Sequence, residues 1–381
     1  MDIRNDPVSI IIPCWNGEKF IKKCLDPVRA QGYRDIEVIV VDNGSIDGSK
    51  KLLREYPSSL ALRIIESTAN HGFAGALNQG IEASKGEFVL ALNLDVELLP
   101  DYIEKLATVF NDPSVGSATG KLYRYPEQFG GRKVLDTTGH VMLASRTILN
   151  RGDEEEDLGQ YDEKREIFGV CAAAAMYRRA MLEDLKIRGE YFDKDFFASY
   201  EDVDLAWRAA NAGWKSRFVP EAVGYHVRRA FGWNATEEML SNSKRNKFLC
   251  ILKNEYFLNY LIDLPVTFAY SLDHLLYKHF RNYRLFFMTA AKKIRAFPRA
   301  LMKRFAVRRT RKISPLAFRK NLHYCPKDLK KARDTFLVLF SLVVLSYFIG
   351  AGKVFGMAFI IFFLVNPAVF HVKRRFFTKA D

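Results

Sequence analysis

Over the first 120 residues, short apolar runs alternate with stretches of helical spacing. Val8–Ile12, Ile36–Val41 and Phe88–Leu92 are nearly continuous apolar runs, rich in β-branched residues and bounded by Pro, Asp or Asn; Leu62–Ile65 is a fourth. Such runs read as buried strands. Between them the spacing predicts helices at about 18–30, 47–56 and 74–84. Strand, helix, strand in that order predicts an α/β fold with a mostly parallel sheet covered by helices on both faces. Sheets of this kind bind ligands at the carboxyl ends of their strands. Asn16, Asp42, Asn43, Asn93 and Asp95 fall there. From about 121 to 235 the pattern loosens: Asp153–Asp157 reads as a solvated acidic loop, Ala172–Met176 leads into a helical stretch, a helix follows at about 200–212, and Val223–Val227 reads as a strand.

After Trp233 the chain turns to long helical segments rich in Phe, Leu, Tyr, Lys and Arg, and it ends in two apolar stretches, Phe336–Gly352 and Val354–Val372. As helices these are roughly 26 and 28 Å long, against about 30 Å of bilayer hydrocarbon. Lys330, Lys331 and Arg333 flank one end and Lys373, Arg374 and Arg375 the other. Positive clusters on one side predict a membrane hairpin with both ends cytoplasmic. Asn366-Pro367 weakens the second helix, so a re-entrant hairpin stays open, as does a buried pair of soluble helices.

Charge sharpens this picture. Residues 274–333 hold 19 Lys and Arg against one acid, Asp328, which exceeds the whole chain's net +14, so the rest is slightly acidic. One intensely basic segment implies a local anionic partner, phospholipid or nucleic acid. Tyr277–Arg319 interleaves its cations with Phe, Leu, Tyr and Met, as interfacial helices do. The five cysteines are scattered without a CxxC pair, which suggests neither a disulfide framework nor a zinc site and favours a reducing compartment. The polar N-terminus offers no secretory signal. The expected organisation is a catalytic domain at 1–235, a basic amphipathic membrane-surface region at 236–334 and a hydrophobic hairpin at 335–373.

Three short motifs carry chemistry. Asp42-Asn43-Gly44-Ser45 after a strand is a turn by itself, but a carboxylate there also suits a pyrimidine N–H, and Gly44 lets backbone approach a ligand. Asn93-Leu94-Asp95 sends its two polar side chains the same way, and two converging oxygens suit a hard divalent cation; a plain strand-end turn is the alternative. Ser199–Asp204 opens a helix in which Ser199 and Asp202 fit a capping box and Asp204 can pair with Arg208. Asp202 also heads an apolar helix face with Leu205, Ala206 and Ala209, so dehydration should raise its basicity, as a general base requires. His226 is a lone histidine on a strand.

Pro13–Gly17, Val40–Gly48, Asn70–Gly80, Asn93-Leu94-Asp95 and Tyr200–Asp204 occur in this order. Over about residues 7–255 the set resembles family 2 glycosyltransferases of the GT-A fold, particularly the bacterial rhamnosyltransferase-like group. The resemblance implies a nucleotide-sugar donor held by Pro13, Asn16, Asp42, Asn43, Gly44, Asn70, Asn78, Asn93 and Asp95, with Asp42 reading the base. It implies Asp202 as catalytic base, Mg²⁺ or Mn²⁺ on Asp95 and His226, and acceptor contacts from Glu201, Arg245 and Asn246. Asn93 departs from the family's DxD pattern and removes one charge from the metal site. The implied reaction is inverting transfer, with L-rhamnose from dTDP-rhamnose the first donor, to a polyprenyl-diphosphate-linked acceptor on the cytoplasmic face of the inner membrane. Nucleic-acid binding explains the charge but neither the hairpin nor the motifs, and a sugar-phosphate nucleotidyltransferase would need a Gly-rich phosphate loop that Pro13–Gly17 lacks.

Overall fold

The computed structural model describes residues 6–57, 62–228, 236–264, 266–267 and 283–323. Its strands are β1 (Val8–Cys14), β2 (Ile36–Asp42), β3 (Leu62–Glu66), β4 (Phe88–Leu92), β5 (Val96–Leu98), β6 (Val115–Arg124), β7 (Leu135–Thr137), β8 (His140–Leu143), β9 (Ile148–Asn150), β10 (Glu166–Ile167), β11 (Ala174–Arg178), β12 (Lys215–His226) and β13 (Leu322–His323). The α-helices are α1 (Ile21–Arg29), α2 (Ser49–Arg54), α3 (Gly72–Ala83), α4 (Tyr102–Ala107), α5 (Arg179–Asp184), α6 (Glu201–Asn211), α7 (Glu237–Asn254), α8 (Phe257–Ile262), α9 (Tyr283–Thr310) and α10 (Pro315–Phe318).

The four predicted strands lie parallel in the order β3-β2-β1-β4. The chain steps outward from β1 to β3, then returns to the other side of β1 as β4. This reversal opens a crevice at the carboxyl ends of β1 and β4, where α/β sheets take their ligands. Past β4 the sheet continues with β11, antiparallel to both β4 and β6, and then β12, parallel to β6. Residues 174–178, in the stretch expected to lead into a helix, are therefore a strand, and helix begins only at Arg179.

Alternation along the buried strands divides the core between two faces. Ile10, Ile12, Val38, Val40, Leu90 and Leu92 pack against Ile21 and Leu25 of α1 and Ile103 and Leu106 of α4. Ile11, Ile39, Val41, Val89 and Ala91 pack against Ala74, Leu77 and Ile81 of α3 and Leu205 and Ala209 of α6. Full burial of each large apolar side chain contributes about 1.5–3 kcal/mol, and a one-residue slip would exchange the two sets. Register is thereby held, and the strand ends keep their polar residues at one rim.

Two compact units make up the chain: residues 1–141, 148–254 and 289–314, and residues 142–147, 255–288 and 315–381. In the second, Arg146 is fully buried and pairs with Glu255 and Asp263, while Arg319 also grips Asp263 at 3.0 Å. The hairpin expected at 335–373 lies outside the described residues. Among the described residues no helix is long and apolar enough to cross a membrane.

Candidate active site

The rim begins with the loops after β1 and β2. Asn16, with φ of 50°, accepts from the Ile46 amide at 2.9 Å, and its own amide donates to Ser45 Oγ at 2.9 Å. Asn43 is a clamp: its Nδ2 donates to Asn70 Oδ1 at 2.9 Å and to the Gly72 carbonyl at 3.1 Å, and its Oδ1 accepts from the His71 amide at 2.9 Å. Gly44 has φ of +78°, and a Cβ there would meet the Ala69 backbone at 2.8 Å, so close approach of two loops requires glycine. Asn78, expected at the donor, exchanges both amide hydrogen bonds with the Phe192 backbone and so ties α3 to the loop before α6. Pro13, half-buried near the end of β1, presents no side-chain hydrogen-bonding group. Asp42 is fully buried, with Lys50 Nζ 3.7 Å from Oδ2 and with Oδ1 lacking any partner. An acceptor left unpaired inside a protein costs roughly 1–3 kcal/mol and is free for a ligand N–H.

Asn93-Leu94-Asp95 follows β4. Leu94 enters the core, and Asn93 Oδ1 is buried without a partner. Asp95 faces His226 at the end of β12, with Oδ1 3.3 Å from Nε2. Behind His226, its Nδ1 lies 2.8 Å from Asp136 Oδ2, and Arg228 holds Asp136 Oδ1 at 3.0 Å. Burial alone would lower the His226 imidazole, but Asp136 and Asp95 push it up to about 9. Burial would raise Asp136, but His226, Arg228 and Arg124 hold it below the usual carboxylate range. A histidine with one nitrogen braced by a carboxylate and the other facing a second carboxylate is the arrangement of metal-ligating imidazoles. Asp95 and His226 therefore fit a divalent cation, which must displace the His226 proton.

Glu201 and Asp202 open α6, with a correction to each expectation. No capping box forms: the residue before the helix is Tyr200 in the left-handed region at φ 74°, and Asp202 Oδ1 accepts from its neighbour Val203 N at 2.8 Å. Nor is Asp202 made more basic. Burial would raise it, but His140 Nε2 at 3.2 Å, the Ala172 amide at 3.1 Å and the Val203 amide hold it below its ordinary value. The rise falls on Glu201, pushed up to about 8 by burial and by the charge of Asp202, with Oε2 lacking a partner.

Helix α7 holds this helix at two places. Arg245 donates to the Asp195 carbonyl at 2.7 Å, and Asn246 donates to the carbonyls of Phe196, Ala198 and Ser199 at 2.8–3.0 Å. The pair thus shapes the loop that delivers Glu201 and Asp202. Asp204, fully buried, binds Arg208 at 3.0 Å as predicted, and also Lys253 at 2.9 Å and Asn254 at 2.7 Å from α7. The acidic stretch 153–157 is only partly solvated: Asp153 meets Arg124 and Arg228 at 2.7 Å, and Asp157 meets Lys121 at 2.9 Å.

Sequence reasoning missed Asp136 and His140. They sit four residues apart around the turn Thr138-Gly139, one behind His226 and the other beside Asp202. Gly139, at φ +104°, would drive a Cβ against Ile167 at 2.5 Å, so the turn geometry depends on it. The available signal was an Asp-Thr-Thr-Gly-His run in a stretch without periodicity.

Comparison with known proteins bears on this arrangement. The sequence profile described as glycosyl transferase family 2 matches residues 9–186. Over that region the chain is similar to glycosyltransferase family 2. Among curated members, it is 32% identical over 185 residues to glycosyltransferase GlyA of Streptococcus pneumoniae, covering 48% of this chain and 26% of that protein. It is 29% identical over 230 residues to glycosyltransferase AglE of Haloferax volcanii, covering 59% and 68%. It is 30% identical to an N-acetylglucosaminyltransferase of Mesorhizobium japonicum, covering 58% of this chain and 51% of that one. Among solved structures, a mannosyltransferase of Pyrobaculum calidifontis in complex with GDP-Man and Mn²⁺ superposes with a TM-score of 0.50 at 21% identity, covering 95% of this chain and 86% of that one. TarS 1–349 of S. aureus gives 0.50 at 18% identity, covering 83% and 90%. These likenesses establish the fold as GT-A.

Proposed function

We propose that this protein is a family 2, inverting glycosyltransferase that moves a sugar from a nucleotide diphosphate to a membrane-held acceptor. One observation carries the reading: the carboxyl ends of β2, β4 and β12 and the start of α6 bring Asp42, Asn93, Asp95, His226 and Asp202 to the rim of one sheet. Asp42 Oδ1, buried and unpaired, receives the N–H of the donor's base. Asp95 and His226 hold Mg²⁺ or Mn²⁺, and Asp136 fixes the His226 ring. When bound, the cation supplies positive charge against the departing diphosphate. Asp202 takes the acceptor's hydroxyl proton as the new C–O bond forms and the anomeric bond to diphosphate breaks. Its lowered basicity keeps it ionised at neutral pH. Proton transfer then comes late, once bonding to the sugar has made the acceptor oxygen acidic.

L-rhamnose from dTDP-rhamnose is the proposed donor, supported by the motif resemblance. GDP-Man, bound in the similar mannosyltransferase, and a nucleotide-linked N-acetylglucosamine, after the similar N-acetylglucosaminyltransferase, are the competing arms. The membrane acceptor is supported by α9. Ile294, Phe297, Leu301 and Phe305 are exposed and spaced three, four and four residues apart, so they share one face. Arg295, Arg299, Arg308 and Arg309 lie exposed among them. An apolar stripe with cations beside it fits the interface of an anionic, inner-leaflet surface.

The deciding experiment is a donor panel with detergent-purified full-length protein, with and without a lipid-linked acceptor. We expect diphosphate release with dTDP-rhamnose, abolished by EDTA and restored by Mn²⁺. Asp202→Asn should retain donor binding and lose turnover by several orders of magnitude. A variant keeping more than about a tenth of kcat, about 1.4 kcal/mol of barrier, removes Asp202 as base.

A further inference from the structure

Beside the acidic residues of the rim lies a second group of donors with different chemistry. A ring nitrogen of His140, Cys171 Sγ and a carboxylate oxygen of Asp202 all lie within 4.8 Å of one another. They arrive from three separate places: the start of β8, the loop before β11, and the first turn of α6. The Ala172 amide, one residue past the thiol, donates to Asp202 Oδ2 at 3.1 Å and so locks the loop to the helix. His140 is anchored by its backbone, its amide donating to the Gly169 carbonyl at 2.8 Å and its carbonyl accepting from Phe168 N at 3.2 Å.

Tetrahedral zinc sites have Zn–N and Zn–O of about 2.0–2.2 Å and Zn–S of about 2.3 Å, which set the ligands roughly 3.3–3.7 Å apart. His140 and Asp202 already stand 3.2 Å apart. Imidazole, thiolate and carboxylate together suit Zn²⁺, whereas Mg²⁺ and Mn²⁺ prefer oxygen. Asp95 with His226 is the harder pair, and it holds no sulfur.

We propose that His140, Cys171 and Asp202 form a second cation site, selective for Zn²⁺ and distinct from the site of the activating metal, and that Zn²⁺ bound there silences transfer. Three protein ligands leave a fourth position for water. On binding, the Cys171 S–H bond gives its proton to solvent and a Zn–S bond forms, with no change of oxidation state. A metal on Asp202 occupies the lone pair that would take the acceptor's proton. The inhibition rests on the reading of Asp202 as base; the site itself does not.

The test titrates the detergent-solubilised full-length protein with Co²⁺ as a spectroscopic stand-in, without any sugar nucleotide. The expected result is a thiolate-to-cobalt charge-transfer absorption with tetrahedral visible bands, removed by stoichiometric Zn²⁺. Cys171→Ser, which replaces sulfur by oxygen at near-constant shape, should abolish the thiolate band and weaken Zn²⁺ binding at least about tenfold. His140→Gln should weaken it similarly. Absence of a thiolate band in the wild type, or a band that survives in Cys171→Ser, overturns the site. In parallel, Zn²⁺ should inhibit wild-type turnover in the presence of excess Mn²⁺ and do so far less in Cys171→Ser. A cobalt band without inhibition keeps the site and rejects Asp202 as base.

Discussion

At the scale of single residues, the two adjacent acids at the head of α6 divide one environment between them. Asp202 collects His140 and two backbone amides and stays ionised, whereas Glu201, buried beside that charge, is pushed up to about 8. A carboxyl whose folded pKa exceeds its unfolded value binds its proton more tightly in the native state. Its contribution is favourable below the unfolded value, near 4.3, and is lost as pH rises toward 8. Glu201→Gln keeps the shape of the protonated acid and cannot ionise. The variant should therefore match wild-type stability near pH 4 and exceed it by a margin that grows as pH rises toward 8. Denaturant midpoints across that range check this, and an unchanged difference between the two pH values refutes it.

At the scale of elements, the position of α6 depends on a chain of buried charges. Lys303 of α9 reaches Asp193, Asp193 also binds Lys253 of α7, and Lys253 continues at 2.9 Å to Asp204 of α6. Burial alone would raise Asp193, but Lys253 and Lys303 hold it well below the carboxylate range. Removing one member leaves the others buried and unpaired, which typically costs 3–5 kcal/mol. Asp193→Asn should lose about that much near neutral pH. Because the folded pKa is depressed, this contribution is present above the unfolded value of about 3.9 and fades as pH falls below it. Thermal melts should show a large difference between variant and wild type at pH 7 that only begins to shrink by pH 3, since the folded pKa lies well below that. The length of these elements was legible from apolar spacing, since α6 was expected at 200–212 and spans Glu201–Asn211. Their cross-links were not, because lysines at 253 and 303 look like solvent-facing charges until the partners are known.

At the scale of the whole molecule, α9 is amphipathic in an unusual sense. In its stretch within the first unit, Lys303 is buried on acidic partners, while Ile294, Phe297, Leu301 and Phe305 face outward. Exposed apolar surface of this kind marks a docking face. Electrostatic attachment alone fails in 1 M salt, where the Debye length is about 3 Å, whereas apolar burial is not screened. The full-length protein should stay with membranes in 1 M salt and be released by detergent. Truncation before Phe336 should leave salt-sensitive binding to anionic vesicles, weakened further by Phe297→Ser with Phe305→Ser. Complete release of the full-length chain by salt, read by flotation, removes the hairpin.

The sequence by itself determined the four parallel strands β1 to β4, their order of appearance and the polar residues at their ends, because buried strands and helices impose short-range periodicities that a chain cannot hide. The Asp42, Asn93 and Asp95 placements follow from that, whereas the GT-A expectation came from the resemblance of the ordered motifs to a known family. Tertiary structure alone decided which side chains meet. Asp136 reaches His226 across 90 residues and His140 reaches Asp202 across 62. No spacing rule connects such positions, and the short strands β7 and β8 that carry the partners have no periodic signal. The same holds for Cys171: without a second cysteine near it in sequence it suggested no metal, and only the closing of α6 against the loop before β11 sets it beside an imidazole and a carboxylate. Dehydration was inferred correctly for the head of α6, but which of its two acids would keep its charge depended on donors from distant segments.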